Sequence, residues 1–163
     1  MTSEFVHLHN HSDYSLLDGA QRIDQLVNTI DDLNMDTVAL TEHGNMFSVL
    51  PYYKQAKKAG IKPIIGCEIY VAVGSRFEKK ARSDGGWGNN HLILLAQNFT
   101  GYRNLMKLVT AGYLEGFYYR PRIDMDLLRE YSDGLICMSA CLKGVVPEKM
   151  LKGDYEGAKK EAL

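Results

Sequence analysis

His7, His9 and His11 recur at every second position of the run Phe5-Val6-His7-Leu8-His9-Asn10-His11, and they are three of only 5 histidines in a chain of 163 residues. On a β-strand, alternate side chains share a face, so the three imidazoles would lie together, with Val6 and Leu8 directed into an apolar layer behind them. Neutral imidazoles gathered on one face ligate borderline-soft divalent metals. Further donors occur beside other apolar runs: Asp18 in Leu16-Leu17-Asp18-Gly19, His43 in Thr41-Glu42-His43-Gly44, Glu68 in Gly66-Cys67-Glu68, His91 before Leu92-Ile93-Leu94, and Cys141 in Ser139-Ala140-Cys141. Imidazole, carboxylate and thiolate drawn from separate segments predict a metal cluster. A structural zinc site more often uses closely paired ligands such as C-x2-C, which this sequence lacks.

Such donors need elements that deliver them to one place. Apolar, β-branched runs predict strands at 5–9, 37–41, 63–73, 91–96 and 135–139. Helical periodicity predicts helices at 23–33, where Ile23, Leu26, Val27, Ile30 and Leu33 share a face, at 47–59 closed by Gly60, at 102–114 and at 155–163. Strands alternating with helices predict an α/β fold with a parallel sheet and right-handed crossovers. Functional groups then gather at the C-terminal ends of strands. In that arrangement His91 stands at the wrong end of its strand.

The apolar content of 45% supports a sizeable core in one domain. A net charge of −1 and a pI near 6.5 give no basic field. Composition therefore gives no sign of a nucleic-acid partner, although one reached through metals or a larger assembly remains compatible. With no long apolar run and no basic-then-apolar leader, the chain reads as soluble and cytoplasmic, without a membrane partner. Cys67, Cys137 and Cys141 read as reduced thiols, the first two as small core residues. The segment 75–90 carries Arg76, Lys79, Lys80 and Arg82 before Gly85-Gly86-Trp87-Gly88, and reads as a surface loop or as a flap touching an anionic substrate. Arg120 and Arg122 flank Pro121 and are candidates for binding a phosphate backbone through their planar forks, or else a solvated pair at a turn.

Stretches 5–19, 40–47, 62–71 and 100–124 resemble the N-terminal PHP (polymerase and histidinol phosphatase) domain of bacterial replicative DNA polymerase III alpha subunits. The phrases Ser15-Leu16-Leu17-Asp18-Gly19, Lys62-Pro63-Ile64-Ile65-Gly66 and Glu115-Gly116-Phe117-Tyr118-Tyr119 are of the polymerase type. The resemblance covers residues 1–163 almost throughout. It implies a distorted seven-stranded β/α barrel, of which the first five or so strands would be present, holding up to three divalent metal ions. Zinc suits the ligands best, with manganese or iron also admitted. The implied ligands are His9, His11, Asp18, His43, Glu68 as a bridging carboxylate, His91 and Cys141, with His9, His11, His43 and Glu68 serving catalysis. His7 is not among them and is expected deeper, in a structural role.

Two departures stand out. Glu42 occupies the place of an aspartate in the family's Thr-Asp-His-Gly motif, and the family's final Asp-x-His pair has no counterpart, because no histidine follows His91. The chain is thus expected to be the N-terminal portion of the domain, inactive by itself. The resemblance implies part of a DNA-directed DNA polymerase, a nucleotidyltransferase of DNA replication. Its PHP domain would hydrolyse phosphodiesters as a 3′–5′ proofreading exonuclease on the primer 3′ end of DNA, among other replisome subunits. Two alternatives stay open: a structural module that braces the polymerase and binds a separate proofreading subunit, and a free-standing metal-dependent phosphatase, against which the polymerase-type phrases speak.

Overall fold

The computed structural model describes residues 5–80 and 89–163. Its axis is β2 (Lys62–Ala72), the longest strand. The first part of β2 pairs in parallel with β1 (Thr37–Leu40), and the last part pairs in parallel with the two-residue β4 (Arg122–Ile123). On its other edge β2 pairs antiparallel with β3 (Asn89–Ala96), which pairs antiparallel with β5 (Leu135–Met138). The fold is therefore α/β with a mixed sheet, not the parallel sheet that the alternation of elements suggests. The reason lies between β2 and β3, where no helix carries the chain back among the described residues. A strand that returns beside its predecessor without a crossover must run antiparallel to it.

Period-two alternation divides β2 between two layers. Cys67, Ile69 and Val71 point to one face and pack with Leu92 and Leu94 of β3 against α3 (Phe99–Leu114) and α4 (Met125–Glu130), through Leu105, Leu108, Leu127 and Leu128. A second cluster joins Val38 and Leu40 of β1 to Ile23, Leu26, Val27 and Ile30 of α1 (Ile23–Asp32), and to Tyr52 and Ala56 of α2 (Val49–Lys58). Burying each such large side chain is worth about 1.5–3 kcal/mol. The opposite face of the sheet carries a smaller apolar group, Ala39, Ile93 and Leu95 with Ile64 and Met138. Glu68 lies opposite Ile93 in the β2–β3 register. Two further helices, α5 (Val145–Leu151) and α6 (Tyr155–Ala162), follow β5. Among the described residues no helix is long and apolar enough to cross a membrane.

Several expected elements are absent or altered. Residues 5–9 form no regular strand: His7 makes an isolated parallel bridge to Val38, and the side chain of Asn10 donates to the carbonyl of Ala39. His7 is exposed at this border instead of deep, and Phe5 is 62% exposed. Leu33 falls just after α1 and is likewise exposed. Cys67 is buried as expected, but Cys137 is exposed, because β5 forms the sheet edge. β4, α4 and α5 had no clear signal, being short. Of the segment 75–90, residues 81–88, with Arg82 and the Gly85-Gly86-Trp87-Gly88 run, lie outside the described residues. Arg76 is not poised for an anionic substrate, since its guanidinium donates to Asp124 at 3.0 Å and to Glu115 at 2.6 Å.

Asp124 ties three parts of the chain together. It caps α4 by accepting from the Leu127 backbone N–H at 3.1 Å, and it accepts from both the backbone and the guanidinium of Arg76. Burial works against its charge, but these hydrogen bonds prevail and hold its carboxyl below the ordinary range. Asp124→Ala is expected to lower unfolding stability by about 2 kcal/mol, the cost of a lost cap and a charged hydrogen bond. A depressed folded-state value stabilises above the unfolded value, so the deficit persists above about pH 4 and fades as pH falls through the depressed value. Urea titrations of both proteins across that range check the sign.

Candidate metal centre

Three connections at one end of the sheet build the centre. After β1 the chain stays beside β2: the Glu68 N–H donates to the Glu42 carbonyl at 3.0 Å, and the Gly44 N–H donates to the Glu68 carbonyl at 2.7 Å. Gly44 has φ +63, a conformation that favours glycine, and this turn sets His43 beside Glu68. The antiparallel course of β3 brings its first residues to the end of β2, with His91 opposite Tyr70. This removes the apparent misplacement of His91. β5 runs antiparallel to β3 and so ends at the same place, where the His91 N–H donates to the Lys143 carbonyl at 3.1 Å beside Cys141.

The carboxylate of Glu68, 2% exposed, is the meeting point. Its Oε2 lies 2.7 Å from His9 Nε2 and 3.4 Å from His11 Nε2. Its Oε1 lies 2.7 Å from His91 Nδ1 and 3.1 Å from His43 Nδ1. Behind the second pair, His43 Nε2 is 3.1 Å from Asp18 Oδ2, and Cys141 Sγ is 3.6 Å from His91 Nδ1. The rings of His11 and His43 stack at 3.8 Å between centroids. All seven expected donors are thus brought together. Burial opposes ionisation of Glu68, yet hydrogen bonds from His11, His43 and His91 hold its carboxyl well below the usual carboxylate range. The hydrogen bond to Glu68 correspondingly raises His43 above its ordinary value, against burial.

Two observations bear on whether these residues fit a metal. Donor atoms of His9, His11 and Glu68 lie within 4.8 Å of one another, close enough for one ion to reach all three. His11 Nδ1 is buried without a hydrogen-bond partner, an arrangement proteins seldom leave unpaired. Imidazole with carboxylate, and a thiol at the rim, is a donor set for zinc, manganese or iron.

Other expected and unexpected residues surround this core. Arg122 does not face a substrate: it is 1% exposed, and its guanidinium donates to the Gly116 and Glu78 carbonyls, both at 3.0 Å. As the first residue of β4 it is drawn into the fold by pairing with Tyr70. Arg120 is half-buried and donates to the Tyr70 hydroxyl at 3.2 Å. Sequence reasoning did not assign Glu42 a task. It is buried and accepts from the Ser12 N–H and from the hydroxyls of Ser12 and Ser15, which anchors the loop carrying His11 and Asp18. The longer side chain at this family-variant position was the available signal.

That loop is closed by Gly19, where a Cβ would fall 1.8 Å from the carbonyl oxygen of Ser12. Gly19→Ala must therefore push the loop outward and carry Asp18 from His43. The expected result is a loss of metal affinity of about tenfold or more, in the range seen when ligand-orienting groups are removed. Isothermal titration of the two proteins with zinc measures it, and unchanged affinity would remove Asp18 from the centre.

A sequence model of the PHP domain matches residues 7–163. The DNA polymerase III subunit alpha of Borreliella burgdorferi is 56% identical over 161 residues, covering 99% of this chain and 14% of the relative. That of Treponema pallidum is 51% identical over 158 residues, covering 97% of this chain and 13% of the relative. The chain thus spans only a small part of the length of these relatives. Among solved structures, an amidohydrolase from Chromobacterium violaceum is similar with a TM-score of 0.46 and 20% identity, over 65% of this chain and 32% of that chain. A match that runs from His7 to Leu163 takes in every donor of the cluster, and the chain belongs to the PHP domain family.

Proposed function

We propose that this chain is the N-terminal portion of a PHP domain carrying a multinuclear metal centre for phosphodiester hydrolysis, and that in the whole protein the centre serves a DNA polymerase as a 3′–5′ proofreading exonuclease. The observation that supports this most is the division of contacts at Glu68. One carboxylate oxygen meets His9 and His11, and the other meets His43 and His91. A carboxylate with a separate imidazole pair on each oxygen would be a ligand shared by two ions. His9 and His11 would hold one, and His43 and His91, with Asp18 and Cys141, would hold the other.

Divalent ions in such a site supply Lewis acidity, which acidifies water and neutralises charge on a phosphoryl group and its leaving alkoxide. Zinc is the ion that the mixed donors suit best. The chain's own residues do the positioning. Glu68 stays ionised between its imidazoles, and Glu42 fixes the loop of His11 and Asp18. Arg120, at the edge, would meet a phosphate of the substrate strand with its planar fork. The names of the relatives support DNA, through its primer 3′ end, as the substrate. Other replisome subunits as partners and a cytoplasmic setting belong to the same reading.

In the whole polymerase, purified free of any separate nuclease, His9→Ala and Glu68→Gln are each expected to reduce removal of a mismatched 3′ nucleotide by about 100-fold or more, while nucleotide addition continues. The size follows from the 10–100-fold cost of losing groups that merely orient ligands. Primer-degradation and primer-extension assays on the same preparations separate the two activities. Undiminished excision in both variants would refute the exonuclease centre and leave it a bracing role.

A further inference from the structure

Beside the histidine cluster lies a cavity of about 550 Å3, walled by Tyr14, Phe47, Tyr113 and Tyr119, with His43 on one side and Arg120 at the edge. The proposed ligand set uses none of these four rings. Tyr119 and Phe47 are open to solvent to a degree that core packing does not explain, at 70% and 64% exposed, while Tyr14 and Tyr113 are each 38% exposed. Tyr119 also has φ +57, a costly backbone conformation for a bulky L-residue. The turn is held by the Tyr118 N–H, which donates to the Arg120 carbonyl at 3.0 Å. Strain of this kind, kept at the edge of a site, is a pointer to function. The Arg120 guanidinium lies 5.4 Å from the centroid of the Tyr70 ring, which also lines the cavity.

We infer that this cavity holds the base of the 3′-terminal nucleotide by stacking, without reading which base it is, while Arg120 meets a strand phosphate. The inference rests on the phosphodiesterase reading above and deepens it. Every nucleobase offers a π-face, so aromatic walls accept all four. The one side-chain amide lining the cavity is already committed. Asn45 donates to the Tyr14 and His43 carbonyls, and its oxygen accepts from the Phe47 N–H. The Ser15 hydroxyl is likewise engaged, by Glu42 and the His43 N–H, so Asp13 at the margin and the tyrosine hydroxyls are what remain for a base edge, whereas stacking has the broad faces of the rings. A terminal base leaves its duplex most readily when it is mispaired. A base-blind pocket beside the hydrolytic centre would thus favour mispaired ends through fraying alone.

The test uses the whole polymerase and single-stranded oligonucleotides that end in a normal nucleotide or in one lacking its base. The wild-type protein is expected to cleave base-bearing ends about tenfold more efficiently than abasic ends, the scale of one stacking contact, and the four bases within a few-fold of each other. Phe47→Ala and Tyr119→Ala should bring that ratio toward one, chiefly through KM. Tyr119→Gly should do the same without lowering Tm, because glycine adopts positive φ freely. Equal cleavage of base-bearing and abasic ends by the wild type, or equal slowing of both by the variants, would overturn the inference. So would variants that keep the ratio but lose binding of a partner subunit, which would make the rings a protein-docking face. If the wild type cleaves neither end, the phosphodiesterase reading fails, and the pocket is then judged by binding alone. Quenching of a 3′-terminal 2-aminopurine that disappears in Tyr119→Ala upholds it, and absence of quenching in the wild type refutes it.

Discussion

A carboxylate that is 2% exposed at the end of an apolar sheet must find partners or give up its charge, and Glu68 finds four imidazoles. The rest of the site follows from that requirement. Each imidazole comes from a different stretch of chain, apart from His9 and His11, so the charge can be balanced only when β1, β2 and β3 are paired. Four imidazole nitrogens crowd two carboxylate oxygens, a donor set of the kind that divalent cations take.

The supporting fold divides its duties by strand face. One face of β2 and β3 packs on α3 and α4 with buried, mostly aliphatic side chains, while the other carries Glu68 and His91 at one end and a smaller apolar group, with Ile64, Ile93 and Leu95, along its length. A shift of one residue in the β2–β3 register would send Glu68 into the helix layer, so the apolar alternation that stabilises the fold also fixes the site. The loops are held by buried polar residues of their own. Glu42 grips Ser12 and Ser15, and Asp124 grips Arg76 and the start of α4. Arg122, a charged residue taken almost wholly out of water, is kept there by backbone carbonyls of two segments.

Around this well-satisfied interior the edge of the site departs from ordinary economy. Tyr119 keeps a strained backbone, Leu16 and Leu17 are 90% and 81% exposed, and several aromatic rings face solvent together. Local violations of packing rules gather where a protein meets something else. Their position next to His43 and Arg120 gives the histidine cluster a neighbouring surface of a different chemical character, apolar and flat-sided where the cluster is polar.

Much of this was legible in the amino-acid sequence. The donors were marked by residue type and by their places beside apolar runs, and the periodicity that outlined α1, α2, α3 and β1, β2 and β3 depends on local patterning that survives in the fold. The tertiary structure alone decided three matters. It made β3 antiparallel, because strand direction depends on what connects two strands and not on either strand's own pattern, and that brought His91 to the site. It separated Arg120 from Arg122, two residues apart, because pairing of β4 with β2 buries one and leaves the other at the cavity edge. It also turned His7 outward, though its spacing matched that of His9 and His11. Sequence determined which groups could do chemistry, since that is a property of the side chain. Which of them meet was settled by long-range pairing, whose partners lie tens of residues apart and leave no local signature.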